Sequence, residues 1–260
     1  MSVKDLFLHF RLHWQVMLLP LFLWGFLLAA GPDAASLISA RFWLVLAVFY
    51  VLFYGGATAL NSYYDQDEGP VGGLWDPPPV NRALFRFAVG AQLLGLAIIF
   101  FVSRPLFVLA AIMGLVGTAY SHPATRLKAR PWASLLTVSV FQGMITGFYP
   151  LTQVYQRAQD REQGVISFAV HWGEKVFGLA IGCMIVGAAL MGWLAWQNFG
   201  LLPALVAAAG PLAIGALVAV WWRRFDDDCV RENYVWMMRL GYLMTAGFLG
   251  FLGWQLARGT

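Results

Sequence analysis

Charge is scarce in this chain, since only 12% of its 260 residues are charged and 60% are hydrophobic. A soluble domain carries about 25% charged residues, so the composition excludes an ordinary soluble domain. Apolar stretches of about twenty residues recur along the chain, and backbone N–H and C=O groups find no water inside a bilayer, so these stretches must cross it as helices. The sequence therefore predicts an all-α fold, a polytopic transmembrane helix bundle.

Cysteine and long polar segments are scarce as well. Cys183 and Cys229 belong to no CxxC or Cys/His cluster, so we expect neither a disulfide nor a zinc site. The N-terminal run MSVKDLFLHFRLHW is amphipathic and basic and lacks a small-residue cleavage site, so no cleavable signal peptide is expected. The polar stretches are all loop-sized, which predicts a single transmembrane domain over residues 1–260 and no nucleic-acid partner.

Eight apolar stretches are long enough to be membrane spans. The fourth begins with Pro105 at a first-turn position, where the missing N–H costs little. The predicted spans are Trp14–Ala30, Leu37–Leu60, Phe85–Val102, Pro105–Tyr120, Trp132–Pro150, Val176–Trp196, Leu201–Trp222 and Val235–Leu256.

The distribution of basic residues tests this count, because cytoplasmic loops are enriched in Lys and Arg. Lys4 and Arg11 place the N-terminus in the cytoplasm, and the loops with Arg82 and Lys128 follow the rule. A single fifth span would invert every later loop. One more helix near residues 141–148 restores the rule, so nine spans are expected. We therefore interpret the join near residues 142–146 as a deletion or an omitted segment.

The first polar loop follows the second span and reads NSYYDQDEGP from residue 61. Asn61 and Asp65 are four residues apart, so a helix that continues would place both on one face. Asp67 and Glu68 add further oxygen ligands. Carboxylate and amide oxygens suit Mg²⁺, which often bridges to substrate phosphates. The alternative is an acidic loop that ends a transmembrane helix and is simply solvated.

Three further loops hold most of the remaining polar residues. The run YSHPATRLKARP from residue 120 has three cations at alternate positions, which could clamp a diphosphate or only mark the cytoplasmic face. The run YPLTQVYQRAQDREQG from residue 149 mixes amides, acids and arginines. The acidic run from Asp226 to Asp228 is flanked by arginines and is expected to be a solvated loop.

Together these loops resemble the UbiA superfamily of intramembrane prenyltransferases. The runs N-S-Y-Y-D-x-D-E-G-P-x-G-G, Y-S-H-P-x-T-R-x-K-A-R-P and Y-P-L-T-Q-V-Y-Q match one bacterial subgroup in order, and the resemblance spans nearly the whole chain. Members transfer a prenyl chain from a diphosphate donor to an aromatic or other lipophilic acceptor. The resemblance implies a nine-helix UbiA-like bundle in the bacterial inner membrane, with the motif loops cytoplasmic and a role in isoprenoid or quinone biosynthesis.

The resemblance also implies roles for particular residues. In the family, two Asp-rich motifs face each other across a cavity and hold Mg²⁺ on the diphosphate, while Lys and Arg neutralise the remaining charge. Asp65 and Asp160 are implied to be catalytic. The implied metal ligands are Asn61, Asp65, Asp67 and Asp160, and the implied substrate-binding residues are Tyr120, Arg126, Lys128 and Gln156.

The second Asp-rich motif departs from the subgroup, which reads roughly Y-Q-x-E-E-D-x-x-x-G-D. This chain has Ala158 and Gln159 in place of the two glutamates and Val165 in place of the last aspartate. Asp160 stays in register, and Glu162 is a candidate substitute. Fewer carboxylates mean less attraction for a second Mg²⁺.

Two functions therefore compete, and a third is weaker. The first is a Mg²⁺-dependent prenyltransferase that uses a prenyl diphosphate and a lipophilic acceptor within membrane lipid. The second is a non-catalytic relative that binds lipid, quinone or pigment as a subunit of a larger membrane complex. A transporter is the third, but the spans lack buried charge pairs and repeated broken helices.

Overall fold

The computed structural model describes residues 1–31, 37–66, 68–142, 149–162 and 164–258. These residues form helices, turns and one isolated β-bridge between Val71 and Leu74, and no strand occurs among them. The predicted all-α fold is therefore confirmed for the part of the chain that is described.

The helices are numbered α1 to α13 along the chain. Short 3₁₀ turns lie at Val16–Leu18, Leu127–Ala129 and Val154–Gln156. The helices are α1 Val3–Leu8, α2 Leu12–Gln15, α3 Leu19–Ala30, α4 Ala40–Asp65, α5 Arg82–Val102, α6 Arg104–Ser121, α7 Pro131–Gln142, α8 Tyr149–Thr152, α9 Arg157–Glu162, α10 Phe168–Trp172, α11 Lys175–Phe199, α12 Leu201–Trp222 and α13 Val230–Arg258.

Seven helical segments among the described residues are long and apolar enough to cross a bilayer. They are the helical stretch Val3–Ala30 together with α4, α5, α6, α11, α12 and α13. Large apolar side chains on these segments face outward, as in Phe101 at 83% exposure and Leu115 at 74%. Seven apolar helices with outward-facing apolar side chains indicate a multi-pass membrane protein, because such side chains are stable in contact with lipid and not with water.

Seven of the eight predicted spans correspond to these segments. The predicted fifth span, Trp132–Pro150, coincides with α7 at its start and with α8 at its end, but residues 143–148 lie outside the described part of the chain. The proposed join near residues 142–146 lies almost wholly in that gap, so both the join and the ninth helix stay predictions. Pro105 occupies the first turn of α6, as expected.

The chain divides into two compact units. Unit 1 consists of Met1–Gln15 and Ile38–Thr137, and unit 2 consists of Val16–Leu37 and Val138–Thr260. The prediction of a single domain stays a prediction.

In unit 1, the core lies where α4 packs against α5. A Cβ at Gly56 would come within 2.7 Å of the Ala88 carbonyl oxygen, so the glycine lets the two helices approach closely. One turn earlier, α4 widens into a π-helical segment at Val48–Tyr54, where Phe49 and Phe53 are buried. Such widened turns often lie beside functional sites, and here the segment precedes the turn that carries Asn61.

In unit 2, α11 and α12 form a helical hairpin that turns at Gly200. Phe177 of α11 and Trp221 of α12 are fully buried and meet edge to face with ring centroids 5.1 Å apart. A second cluster joins this hairpin to α3 and α13 through Leu27 and Phe251. These contacts pack α3, α11, α12 and α13 together within unit 2.

Candidate functional site

The first polar motif lies on the last turn of α4. The helix continues to Asp65 and ends where Gln66 adopts a left-handed conformation with φ of 51°. Asn61 and Asp65 share one face, as predicted, and the Asn61 Nδ2 atom donates a hydrogen bond of 2.9 Å to Asp65 Oδ2. A carboxylate near the C-terminal end of a helix faces unpaired carbonyl groups, so it gains from a nearby cation.

That cation is Lys128 of the basic loop, which is the run YSHPATRLKARP from residue 120. Its Nζ atom forms an ion pair with Asp65 Oδ1, and the two side chains are only 18% and 8% exposed. Ser121, the last residue of α6, donates a hydrogen bond from Oγ to Asn61 Oδ1. The polar cluster of unit 1 is therefore Asn61, Asp65, Ser121 and Lys128, and it joins the first motif to the basic loop.

The local fold of the basic loop explains why Lys128 is the residue that reaches Asp65. Arg126 adopts a left-handed conformation with φ of 38°, which reverses the chain before the 3₁₀ turn that carries Lys128. The His122 ring packs edge to face on Tyr64 of α4 at 5.1 Å, which holds the loop against that helix. Thr125 Oγ1 donates to the Ala119 carbonyl oxygen at 2.6 Å and closes the loop on the end of α6.

The other predicted residues of unit 1 are placed differently. The Arg126 side chain is exposed, two residues before Lys128. The hydroxyl of Tyr120 lies 3.2 Å from Ser134 Oγ on α7. Asp67 lies outside the described residues, so its predicted role as a metal ligand stays a prediction. The sequence did not single out Ser121, although its place between Tyr120 and His122 in the matched run was the available signal.

The donor set of the polar cluster can be compared with the needs of magnesium. Among the described residues, no three His, Cys, Asp or Glu side chains come together. The cluster supplies one carboxylate, one amide oxygen and one hydroxyl. Mg²⁺ usually keeps several waters and takes one or two carboxylates plus substrate phosphates, so these residues fit a magnesium ion held largely by a diphosphate.

The second motif lies in unit 2. Gln156 ends a 3₁₀ turn, and the half-buried Asp160 lies in α9, where its carbonyl oxygen accepts a hydrogen bond of 2.8 Å from the Val165 amide. Val165 is only 8% exposed and Glu162 is exposed. An apolar residue therefore occupies a buried position where the family resemblance expects a carboxylate.

Two arginines of this motif converge on one carboxylate. Arg157 Nη1 lies 3.2 Å from Asp227 Oδ1, and Arg161 Nη1 lies 3.3 Å from Asp227 Oδ2. Burial lowers the pKa of the Arg157 guanidinium, and the negative charge of Asp227 opposes that change. Asp226 and Asp228 are exposed, in keeping with the expected solvated loop, whereas Asp227 is one-third exposed and pairs with both arginines.

Unit 2 also contains an apolar cavity of about 490 Å³. It lies at the middle of α11, α12 and α13, with Pro20 of α3 contributing one wall. Glycines at 187, 210 and 247 leave the space, and the larger lining side chains include Met184, Met191, Met244 and Phe248. This volume lies within the range of about 300–1,000 Å³ for small-molecule sites, and methionine adapts readily to irregular apolar ligands.

Comparisons with models of protein families, with curated proteins and with solved structures found no match. The fold itself defines the class, which is a multi-pass, all-helical membrane protein. The described residues contain two candidate functional sites. One is the polar cluster of unit 1, and the other is the apolar cavity of unit 2.

Proposed function

We propose that this chain is a UbiA-type prenyltransferase of the bacterial inner membrane, with its motif loops on the cytoplasmic side. It would move a prenyl chain from a prenyl diphosphate to an aromatic or other lipophilic acceptor. The observation that carries the proposal is the contact between the first motif and the basic loop, in which Lys128 pairs with Asp65 beside Asn61.

The polar cluster suits the binding of a metal diphosphate. Asn61 and Asp65 would hold Mg²⁺, whose bound charge would ease the departure of pyrophosphate. Lys128 carries three N–H donors, so it can bond to a phosphate oxygen while it stays beside Asp65. The exposed Arg126 is two residues away and would bind the same diphosphate as a planar, bidentate donor. Preorganised cations of this kind stabilise the charge that develops on the leaving group.

Asp160 and Gln156 are proposed to act from the second motif. The reduced number of carboxylates in that motif means that the first motif would supply most of the attraction for metal. Asp65 pairs with one lysine, whereas both oxygens of Asp227 face an arginine, so Asp227 is the poorer candidate to replace the missing ligands. Asp160 is therefore the residue of the second motif on which activity would depend.

A second candidate function has support from the cavity of unit 2. A non-catalytic relative would use its apolar volume of about 490 Å³ to bind a lipid, a quinone or a pigment as a subunit of a larger membrane complex. An uncharged, apolar ligand would bind favourably against this lining, because its surface would stay out of contact with water. The loss of acids from the second motif favours this candidate, whereas the Asp65–Lys128 pair favours the enzyme.

One assay separates the two candidates. Purified protein is incubated with Mg²⁺ and farnesyl or geranylgeranyl diphosphate across aromatic and quinone-precursor acceptors, and both prenyl transfer and pyrophosphate release are measured. The proposal expects release that is lost in Asp65→Asn and kept in Asp228→Asn, a control in an exposed loop. No release by the wild type, while a related nine-helix enzyme is active in parallel, would reject the prenyltransferase.

A further inference from the structure

The segment from His9 to Gln15 makes long-range polar contacts with the part of unit 1 that carries the first motif. His9 Nε2 lies 3.0 Å from the Pro78 carbonyl oxygen, and His13 Nε2 lies 2.7 Å from the Gly73 carbonyl oxygen. His9 is 1% exposed and Gln15 is 2% exposed. The segment is therefore packed into unit 1, and it is hydrogen-bonded to Gly73 and Pro78 in the loop that follows the motif.

Arg11 forms the contact nearest to the motif. Its Nη2 atom donates a hydrogen bond of 2.6 Å to Ser62 Oγ, and the arginine is only 5% exposed. Ser62 Oγ in turn donates to the Thr58 carbonyl oxygen at 3.2 Å. Because Ser62 directly follows Asn61 and precedes Asp65 by three residues, this contact is made on the same helical turn as the polar cluster.

The contact between Arg11 and Ser62 is made by a residue whose backbone is strained and whose charge is buried. Arg11 has a φ of 50°, a left-handed conformation that is rare for residues other than glycine. Burying a guanidinium is also unfavourable unless hydrogen bonds compensate for the loss of water. A residue that is both strained and buried persists only where its surroundings require it.

A glycine pair opposite the segment makes room for it. A Cβ on Gly72 would lie 2.8 Å from Arg11 Nη1, and a Cβ on Gly73 would lie 2.7 Å from His13 Nε2. Gly73 also has a φ of 87°, which disfavours other residues. The two glycines that end the run N-S-Y-Y-D-x-D-E-G-P-x-G-G therefore lie in close contact with the segment, and at Gly73 a Cβ would also lie 2.9 Å from Trp14 Cβ.

We propose that Arg11 is a positioning residue for the first motif. Its hydrogen bond to Ser62 holds one side of the last turn of α4, while Ser121 and Lys128 hold the side that carries Asn61 and Asp65. The turn is thereby fixed in rotation, and the two metal-binding side chains stay directed at the basic loop. The effect on catalysis rests on the proposed function, but the effect on the helix turn does not.

The test replaces Arg11 by Met and by Lys, and Ser62 by Ala as a smaller change that removes the same contact. The exposed Lys4→Met is the matched control, since it also removes a cation from the N-terminal segment. Hydrogen exchange followed by mass spectrometry reports on residues 61–66 and 71–74 without any need for activity. The Mg²⁺ concentration that gives half-maximal pyrophosphate release reports on the site.

We expect faster exchange confined to those two stretches in Arg11→Met and Ser62→Ala, with partial rescue in Arg11→Lys. Loss of a residue that orients metal ligands typically weakens metal binding by about 10–100-fold, so the Mg²⁺ requirement should rise by at least about tenfold. Unchanged exchange, or exchange raised throughout unit 1, would overturn the positioning role. Absence of pyrophosphate release by the wild type would count against the proposed function alone, and exchange would still decide the role of Arg11.

Discussion

The ion pair between Asp65 and Lys128 allows a quantitative test of the polar cluster. Its side chains are 8% and 18% exposed, so removal of one partner leaves the other charge poorly solvated. Breaking a buried pair in this way costs about 3–5 kcal/mol, and the residual exposure of this pair favours the lower end. We expect about 3 kcal/mol of destabilisation for Lys128→Met, because Asp65 cannot move away from the end of α4.

The double variant tests whether the two residues act on each other. Asp65→Asn should cost about 2 kcal/mol, less than the lysine change, because the long Lys128 side chain can reach water. Removal of both charges should cost about 3 kcal/mol rather than about 5, which is a coupling of about 2 kcal/mol and falls in the range seen for residues in contact.

The assay is thermal unfolding in detergent, followed by the fluorescence of the twelve tryptophans. At roughly 2–4 °C for each kcal/mol, Lys128→Met should lower Tm by roughly 6–12 °C. The matched control is Arg126→Met, an exposed cation in the same loop whose removal should leave Tm nearly unchanged. Additive effects of the two single changes would refute the pairing of Lys128 with Asp65.

Two further predictions concern the framework around the sites. Gly56→Ala should destabilise the protein by about 1–3 kcal/mol in the same unfolding assay, because the new methyl group overlaps the facing helix. The control is Gly90→Ala, which should be neutral or slightly stabilising because no atom lies within 4 Å of the new Cβ. Asp227→Asn should cost about 2 kcal/mol, since it removes the carboxylate that pairs with the buried Arg157, although Asp227 itself is one-third exposed. The exposed Asp228→Asn is its control, and an equal loss in both variants would contradict the pairing.

The sequence was informative where local periodicity decides the outcome. The length and apolarity of the stretches identified the membrane-spanning helices, and the four-residue spacing of Asn61 and Asp65 placed them on one face of α4. Pro105 at the start of α6 followed from its missing N–H. In each of these cases the deciding interaction lies within one helix or between that helix and lipid.

The contacts that assemble the sites were not predictable in the same way. Lys128 rather than Arg126 meets Asp65 because of a left-handed turn in the basic loop, which its sequence does not specify. Arg11 was interpreted as a topological charge, since its partner Ser62 lies 51 residues away. Such long-range side-chain contacts depend on how helices pack, and no spacing rule along the chain encodes them.

The most direct test of the proposed function is the binding of a non-cleavable prenyl thiodiphosphate, measured by calorimetry on the purified protein with and without Mg²⁺. We predict binding that requires Mg²⁺ and that weakens at least about tenfold in Asp65→Asn and in Lys128→Met, as expected when a charge that contacts a metal diphosphate is removed. Binding that is absent, or that is equally strong without Mg²⁺ and in both variants, would contradict a diphosphate site at the end of α4.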